Sequence, residues 1–114
     1  MGYIYIQKRK KDIIFKIIDN LSTRAYKFLK KSKVNTNMTH IELIGCKPQA
    51  LKQYLENKFT DGMSYDNYGE WEVDHIKAIT RYDLNDIKQV NECFHYTNLQ
   101  PLWRLDNIRK SNKI

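Results

Sequence analysis

The chain has 114 residues, a net charge of +7, 41% hydrophobic residues and two cysteines. This length allows one compact domain with a modest core and is too short for two independent ones. Two widely spaced cysteines are not the dense framework of a small secreted disulfide protein, and no apolar run approaches the ~20 residues of a membrane span. The N-terminus also lacks the layout of a secretory signal, so we expect a protein that is neither secreted nor embedded in a membrane.

The positive charge is concentrated at the N-terminal end. Residues 1–36 hold ten Lys and Arg against two Asp, a net +8, whereas residues 37–114 carry −1. A cationic segment gains affinity for nucleic acid by counterion release, and an acidic membrane surface attracts it by the same Coulomb force. We therefore divide the chain into a basic helical arm, residues 1–36, and a domain, residues 37–114. The arm either contacts a polyanion or is a solvated helix face.

Apolar residues at helical spacing predict an amphipathic helix from about Lys8 to Lys31. Capping residue types cluster near Leu21, so this segment is either one helix or two helices joined there. The polar stretch 32–39 is typical of a linker.

Two short helices are predicted next in the chain. Thr39 and Glu42 have the spacing of a capping box, which marks the start of the first. Pro48 lies at a first-turn position and opens the second, which continues through Leu55.

The C-terminal half alternates between extended and helical patterns. A turn-rich segment, 60–69, precedes a predicted strand at Trp71–Ile76. A helical pattern covers 84–95, a short extended segment covers 97–102, and a last helix is predicted from about 103 to 111.

Three ordered blocks in this half carry residues suited to catalysis: WEVDHI at 71–76, YTNLQPLW at 96–103 and DNIRKS at 106–111. Their order and spacing resemble the HNH endonucleases that are common in phages and large DNA viruses. The likeness extends upstream and covers roughly residues 39–114. A lone Asp-His pair would mean little, whereas all three blocks in this order are specific.

The resemblance assigns roles to four residues. His75 would be the general base, Asp74 and Asn107 the metal ligands, and Asn98 the residue that braces the loop and orients His75. Imidazole suits proton abstraction near neutral pH, and one carboxylate with one amide oxygen suits Mg²⁺ or Mn²⁺. The family often has histidine where Asn107 stands, and an oxygen donor there makes Mg²⁺ or Mn²⁺ the expected ion.

One geometric condition follows for Asp74 and His75. Successive strand residues point to opposite faces, so both can address one phosphate only if the strand ends or bends there.

The last helix is predicted to have two faces. Arg104, Asn107 and Lys110 share one face by their spacing, and we expect Leu105 and Ile108 to turn toward the core. Lys110 could stabilise charge that develops on the phosphate during cleavage, which gives it a catalytic and a nucleic-acid-binding role. Further candidate phosphate contacts are Arg104, Arg109 and, in the arm, Lys8, Arg9, Lys10 and Lys11.

Other chemistry-bearing residues have a structural explanation. Trp71, Phe94 and Trp103 adjoin apolar neighbours and are expected in the core. Cys46 and Cys93 are expected as buried thiols, and His40 and His95 as structural residues. A zinc site would need all four of these Cys and His residues, and the Cys93-x-His95 spacing is too tight, so structural zinc is not expected.

The resemblance implies an α+β fold with a ββα-metal (His-Me finger) motif and added N-terminal helices. The implied function is a metal-dependent endonuclease that hydrolyses double-stranded DNA inside a host cell, in the cytoplasm or nucleus, and leaves 5′-phosphate and 3′-hydroxyl ends. The alternative is a catalytically silent DNA-binding or structural module of the same fold, and RNA is a less favoured substrate. The sequence does not decide whether one copy or a homodimer acts.

Overall fold

The structure is a computed structural model that describes residues 12–34 and 38–112. Within these ranges the fold is α+β, with five α-helices and one two-stranded sheet. The elements in chain order are α1 Ile13–Leu29, α2 His40–Ile44, α3 Pro48–Glu56, β1 Trp71–His75, α4 Ile87–Phe94, β2 Leu99–Trp103 and α5 Arg104–Asn112. Single 3₁₀ turns lie at Tyr65–Asn67, Ile79–Arg81 and Tyr96–Asn98. In the same ranges, none of the helices has the length and apolar content to cross a bilayer.

Helix α1 is continuous through the region where capping residues made a break an alternative. The Asp12 side chain caps its N-terminus by accepting a hydrogen bond from the Ile14 N–H at 3.1 Å. Leu21 itself is buried, as are Ile17 and Ala25 on the same stripe. Burial of this stripe outweighs the preference of the nearby polar residues for caps and turns. The part of the predicted helix before residue 12 lies outside the described residues.

The two predicted short helices are confirmed as α2 and α3. The Thr39 hydroxyl oxygen accepts from the Glu42 N–H at 3.1 Å and caps α2. Gly45 ends α2 with φ +84°, and a Cβ there would lie 2.5 Å from the His95 ring, so both the backbone and the space require glycine. Pro48 begins α3, where its missing N–H costs no hydrogen bond.

The predicted strand pair forms an antiparallel sheet. Its register pairs Trp71 with Trp103 and His75 with Leu99. The first strand ends at His75, one residue before the predicted end. Helix α5 follows β2 directly and contacts both strands. The order strand, strand, helix thus places α5 across the sheet.

Two buried clusters make up the core. The larger cluster joins α1 and α3 to the sheet; its buried members are Ile14, Ile17, Ile18, Leu21, Ile44, Leu51, Leu55, Trp71, Val73 and Leu99. The second lies between α1, α2 and α4; its buried members are Ala25, Leu29, Leu43, Ile79, Val90, Cys93 and Phe94. Helix α1 contributes to both clusters, so the helix of the predicted arm packs in the core that supports the sheet.

The three aromatic residues expected in the core pack there, and one of the two thiols expected to be buried is fully buried. Trp71 and Phe94 are buried, and Trp103 is half-buried against the larger cluster. Cys93 is a buried free thiol, whereas Cys46 is free and half-buried.

The predicted orientation of α5 is wrong. Leu105 is 69% exposed and Ile108 is 48% exposed, so neither turns toward the core. The face of α5 toward the sheet is instead the polar one, because Asn107 bonds Glu72 and Lys110 bonds Asp74 on β1. These charge-assisted contacts hold the polar face inward, which leaves the apolar residues in solvent.

Trp71 is expected to be the most sensitive core position of the sheet. Its Nε1–H donates to the Ser64 carbonyl at 2.7 Å and to Asn67 Oδ1 at 3.0 Å, and its ring is fully buried. Trp71→Phe should lower the free energy of unfolding by about 2 kcal/mol, because it shrinks the buried ring and removes the donor. Urea denaturation measures this, with Trp103→Phe at a half-buried ring as the matched control. Equal losses in the two variants would contradict the prediction.

Candidate active site

A cavity of about 240 Å³ lies where β1 ends, between α1 and α5. Its lining residues are Arg24, Phe28, Asp74, His75, Ala78, Ile79, Thr80, Asn107 and Lys110. The structure therefore brings together four of the five residues predicted to be catalytic or metal-binding. The fifth, Asn98, is not in the cavity wall.

Asp74 and His75 are the last two residues of β1 and are buried, with 6% and 4% exposure. Both line the same cavity. The next residue, Ile76, lies outside the strand and is 47% exposed. The strand thus ends directly after this pair, and both residues border one cavity although they are successive residues of the strand.

Asn98 ties the loop after β1 to the segment before β2. Its Oδ1 accepts from the Lys77 N–H at 2.9 Å, and its Nδ2 donates to the carbonyls of Lys77 at 3.1 Å and Cys93 at 2.9 Å. Its own carbonyl accepts from the Ile76 N–H at 2.7 Å. These contacts are of the kind that bracing a loop requires. They act on the backbone next to His75 and not on its ring.

Lys110 forms the closest polar contact in the cavity. Its ammonium lies 2.6 Å from Asp74 Oδ2 and donates to the His75 carbonyl at 2.9 Å. Gln100 Nε2 donates to the same Asp74 oxygen at 3.1 Å. The buried carboxylate is therefore neutralised by a charge from α5, and Lys110 links that helix to both residues of the Asp-His pair.

Asn107 is oriented by a residue that sequence reasoning missed. Its Nδ2 donates to Glu72 Oε2 at 3.3 Å. An ionised carboxylate can only accept, so the amide nitrogen faces Glu72 and Oδ1 is turned away from it. Glu72 could have been found from strand alternation, because it lies two residues before Asp74 and so on the same face of β1.

The His75 imidazole is buried without a hydrogen bond. Neither ring nitrogen has a partner among residues 12–34 and 38–112, and the ring meets Phe94 edge-on at 5.7 Å between centroids. The pKa of His75 is lowered from 6.5 to about 4, first by burial and next by the charge of Arg24; Asp74 acts in the opposite direction, and Lys110 adds a smaller lowering. The ring is therefore neutral near pH 7, and one of its two nitrogens carries a lone pair.

The basic residues that could contact a phosphate differ in their distance from this cavity. Arg24 on α1, which sequence reasoning did not single out, lines the cavity. Arg104 lies outside it, 3.9 Å from Glu72, and Arg109 is exposed and 3.8 Å from Asp106. The arm residues Lys8, Arg9, Lys10 and Lys11 lie outside the described residues.

The two histidines expected to be structural lie away from this cavity. His40 is exposed at the start of α2. His95 is half-buried, with its ring against Gly45 and its Nδ1 2.8 Å from Thr97 Oγ1.

The donors in the cavity suit a hard cation. Among the described residues there is no group of three or more His, Cys, Asp or Glu that could hold a metal ion. Asp74 with its carboxylate and Asn107 with its amide group both line this cavity. Mg²⁺ commonly binds through one or two protein oxygens and keeps several waters, so this donor set fits Mg²⁺ or Mn²⁺.

The low pKa of His75 makes folding sensitive to acid. Between pH 6.5 and about 4 the unfolded chain binds a proton that the folded chain excludes, so stability is complete above pH 6.5 and is lost as the pH falls through this interval. Over that range, wild type should lose up to about 3 kcal/mol of unfolding free energy more than His75→Gln does. Urea denaturation in EDTA at a series of pH values measures the difference. Parallel curves for the two proteins would contradict it.

Comparison with known proteins finds two relatives in Acanthamoeba polyphaga mimivirus, both uncharacterized. One is 39% identical across 94% of this chain and 51% of its own length; the other is 32% identical across 90% of this chain and 45% of its own length. The chain therefore spans about half the length of the curated relatives it matches. No family model matches the chain. No solved structure matches it significantly. The relatives come from a large DNA virus, in agreement with the kind of source in which the resembled HNH proteins are common.

Proposed function

We propose that this protein is a metal-dependent DNA endonuclease of the HNH type. The observation that carries the proposal is the buried imidazole of His75, which has no hydrogen-bond partner among the described residues and borders a cavity that Asp74, Asn107 and Lys110 also line. Buried polar groups are normally hydrogen-bonded, and unsatisfied ones concentrate where a ligand or a reaction completes them. A water molecule held for deprotonation would give the ring its missing partner.

The order of elements supports the finer fold assignment. In a ββα-metal motif, two antiparallel strands and a helix surround one cation. Here β1 supplies Asp74 and His75, β2 pairs with it, and α5 supplies Asn107 and Lys110 across the sheet. Helices α1 to α3 are the added N-terminal helices in this proposal.

Each residue has a separate role in the proposed hydrolysis. When bound, Mg²⁺ or Mn²⁺ would supply Lewis acidity that offsets charge on the phosphate and on the leaving oxygen. Asp74 and Asn107 would hold it. His75 takes a proton from the water that attacks the phosphorus in line, and the P–O bond to the 3′ oxygen breaks. Asn98 keeps the loop beside His75 in place.

The proposed substrate is double-stranded DNA, and the products carry 5′-phosphate and 3′-hydroxyl ends. The basic residues of the chain would hold flanking phosphates and supply affinity without reading sequence. They are Arg104 and Arg109 on α5 and Lys8, Arg9, Lys10 and Lys11 in the N-terminal segment.

The contact of Lys110 with Asp74 favours a second candidate, a DNA-binding or structural module without catalysis. At 2.6 Å from Oδ2, the ammonium already neutralises the carboxylate that would bind the cation. In this alternative the ion pair only fastens α5 to β1. The two candidates differ in whether a divalent cation displaces Lys110.

The nuclease proposal predicts metal-dependent cleavage of a supercoiled plasmid. Wild type should cut with Mg²⁺ or Mn²⁺ and not with EDTA. His75→Ala should abolish cleavage and retain DNA binding, because the base is lost while the charged residues stay. His40→Ala, at an exposed histidine away from the cavity, is the matched control and should cut normally. No product from wild type with any divalent metal would favour the silent module.

A second prediction concerns competition at Asp74. Lys110→Ala removes the ammonium that a cation must displace, so Mg²⁺ should stabilise this variant against urea at lower concentration than it stabilises wild type. Its turnover should also fall, because one charge that offsets the phosphate is lost. Lys88→Ala, at an exposed lysine on α4, is the control. If Mg²⁺ changes the stability of neither wild type nor Lys110→Ala, Asp74 does not bind the metal.

A further inference from the structure

A second cavity adjoins the candidate active site. It measures about 390 Å³ and lies between α1, the turn before β1 and the start of α5. Its lining residues are Ile17, Asn20, Leu21, Arg24, Tyr68, Gly69, Glu72, Val73 and Arg104. Arg24 lines both cavities, so the two cavities are neighbours.

Arg24 is placed to bind an anion. It is exposed, and among the described residues it forms no ion pair or hydrogen bond. On α1, Leu21 lies about one turn before Arg24 and Ala25 directly after it, and both are buried, so the position of the Arg24 Cα is fixed. A guanidinium that is free of carboxylates and held at the edge of a cavity can donate two parallel hydrogen bonds to a phosphate.

Arg104 faces the same cavity from α5. Its backbone N–H donates to the Glu70 carbonyl at 2.9 Å, which fixes the start of the helix. Its Nε lies 3.9 Å from Glu72 Oε1, and its side chain is 65% exposed. The contact is through Nε, so the two terminal nitrogens have no partner within the part of the chain that the structure describes.

The remaining walls leave space for a bulky ligand. Gly69 has no side chain, and a Cβ built there would meet nothing within 4 Å. Tyr68 is fixed by the Asn20 amide, which donates to its hydroxyl at 2.9 Å. Glu72, the one carboxylate among the described residues of this lining, is offset by Arg104 and by the donor from Asn107. The cavity therefore has a net positive lining and lies next to the site where a phosphate would be cleaved.

We infer that this cavity is a second phosphate subsite, in which Arg24 and Arg104 together hold a backbone phosphate of the nucleic acid strand next to the one that is cleaved. The inference rests on the proposed function for the identity of the strand. It adds Arg24 to the substrate-binding residues and gives the strand a path from the cavity at the end of β1 to the start of α5.

The test is DNA binding measured without cleavage. Fluorescence anisotropy with a labelled duplex of mixed sequence, in EDTA, gives the dissociation constant at several salt concentrations. Each phosphate contact contributes about 0.9 to the slope of log affinity against log salt. We expect the magnitude of that slope to fall by about 0.9 in Arg24→Gln, in Arg104→Gln and in the double variant. The effects should not add, because both residues hold one phosphate.

Lys88→Gln is the matched control, since it removes one positive charge from an exposed residue that lines neither cavity. It should change the slope by much less than Arg24→Gln does. If the slope changes equally in all variants, including Lys88→Gln, the effect comes from the overall charge of the protein, and the subsite proposal is overturned. Additive losses, or a loss for Arg24→Gln alone, would also overturn it, because the two residues would then not share a phosphate.

The experiments can refute the subsite proposal and the nuclease proposal independently of each other. A protein that binds with the expected change in slope but never cuts a plasmid with metal would refute the nuclease and keep the subsite. A protein that cuts while Arg24→Gln and Arg104→Gln leave the slope unchanged would refute the subsite alone.

Discussion

Asp74 is a buried carboxylate, and a charge removed from water must be paired if the fold is to be stable. Its partner is the Lys110 ammonium, 2.6 Å away on α5. This contact sets the orientation of the last helix. It turns the polar face of α5 onto β1, brings Asn107 to Glu72, and leaves Leu105 and Ile108 in solvent.

The same constraint shapes the candidate active site. With Lys110 on Asp74 and on the His75 carbonyl, the end of β1 is held from one side. Asn98 holds the following loop from the other side through the backbone of Lys77. The His75 ring lies between these two fixed points with neither nitrogen bonded to the described residues. A general base must be held in a fixed position and have a ring nitrogen that no other protein group occupies, and these contacts meet both conditions within the described residues.

Helix α1 connects the hydrophobic core with the candidate active site. Its apolar stripe joins both buried clusters, while Arg24 on another face of the helix reaches both cavities. A rigid helix is a precise support for a charged side chain, because burial of one face fixes the direction of the other. The segment that charge alone set apart as an arm therefore supplies both core residues and a cation beside the candidate site.

Much of this organisation was determined by the sequence itself. Apolar spacing predicted α1, the Thr39 cap and Pro48 predicted α2 and α3, and the extended pattern at Trp71–Ile76 predicted β1, which ends one residue earlier. The ordered blocks also singled out Asp74, His75, Asn107 and Lys110, which line one cavity. These signals are local, because periodicity, capping and turn chemistry act over a few residues along the chain.

Tertiary structure alone decided which faces meet. The helical spacing of α5 shows two faces but not which one turns inward, since that depends on an ion pair and a hydrogen bond with a strand more than thirty residues earlier. Glu72 and Arg24 joined the candidate site for the same reason. Neither belongs to the residues that the blocks singled out as catalytic or metal-binding, and each is brought there by contacts between distant segments. Burial of charge is a property of the folded molecule, because the dielectric and the partner of a group are set only when the chain has packed.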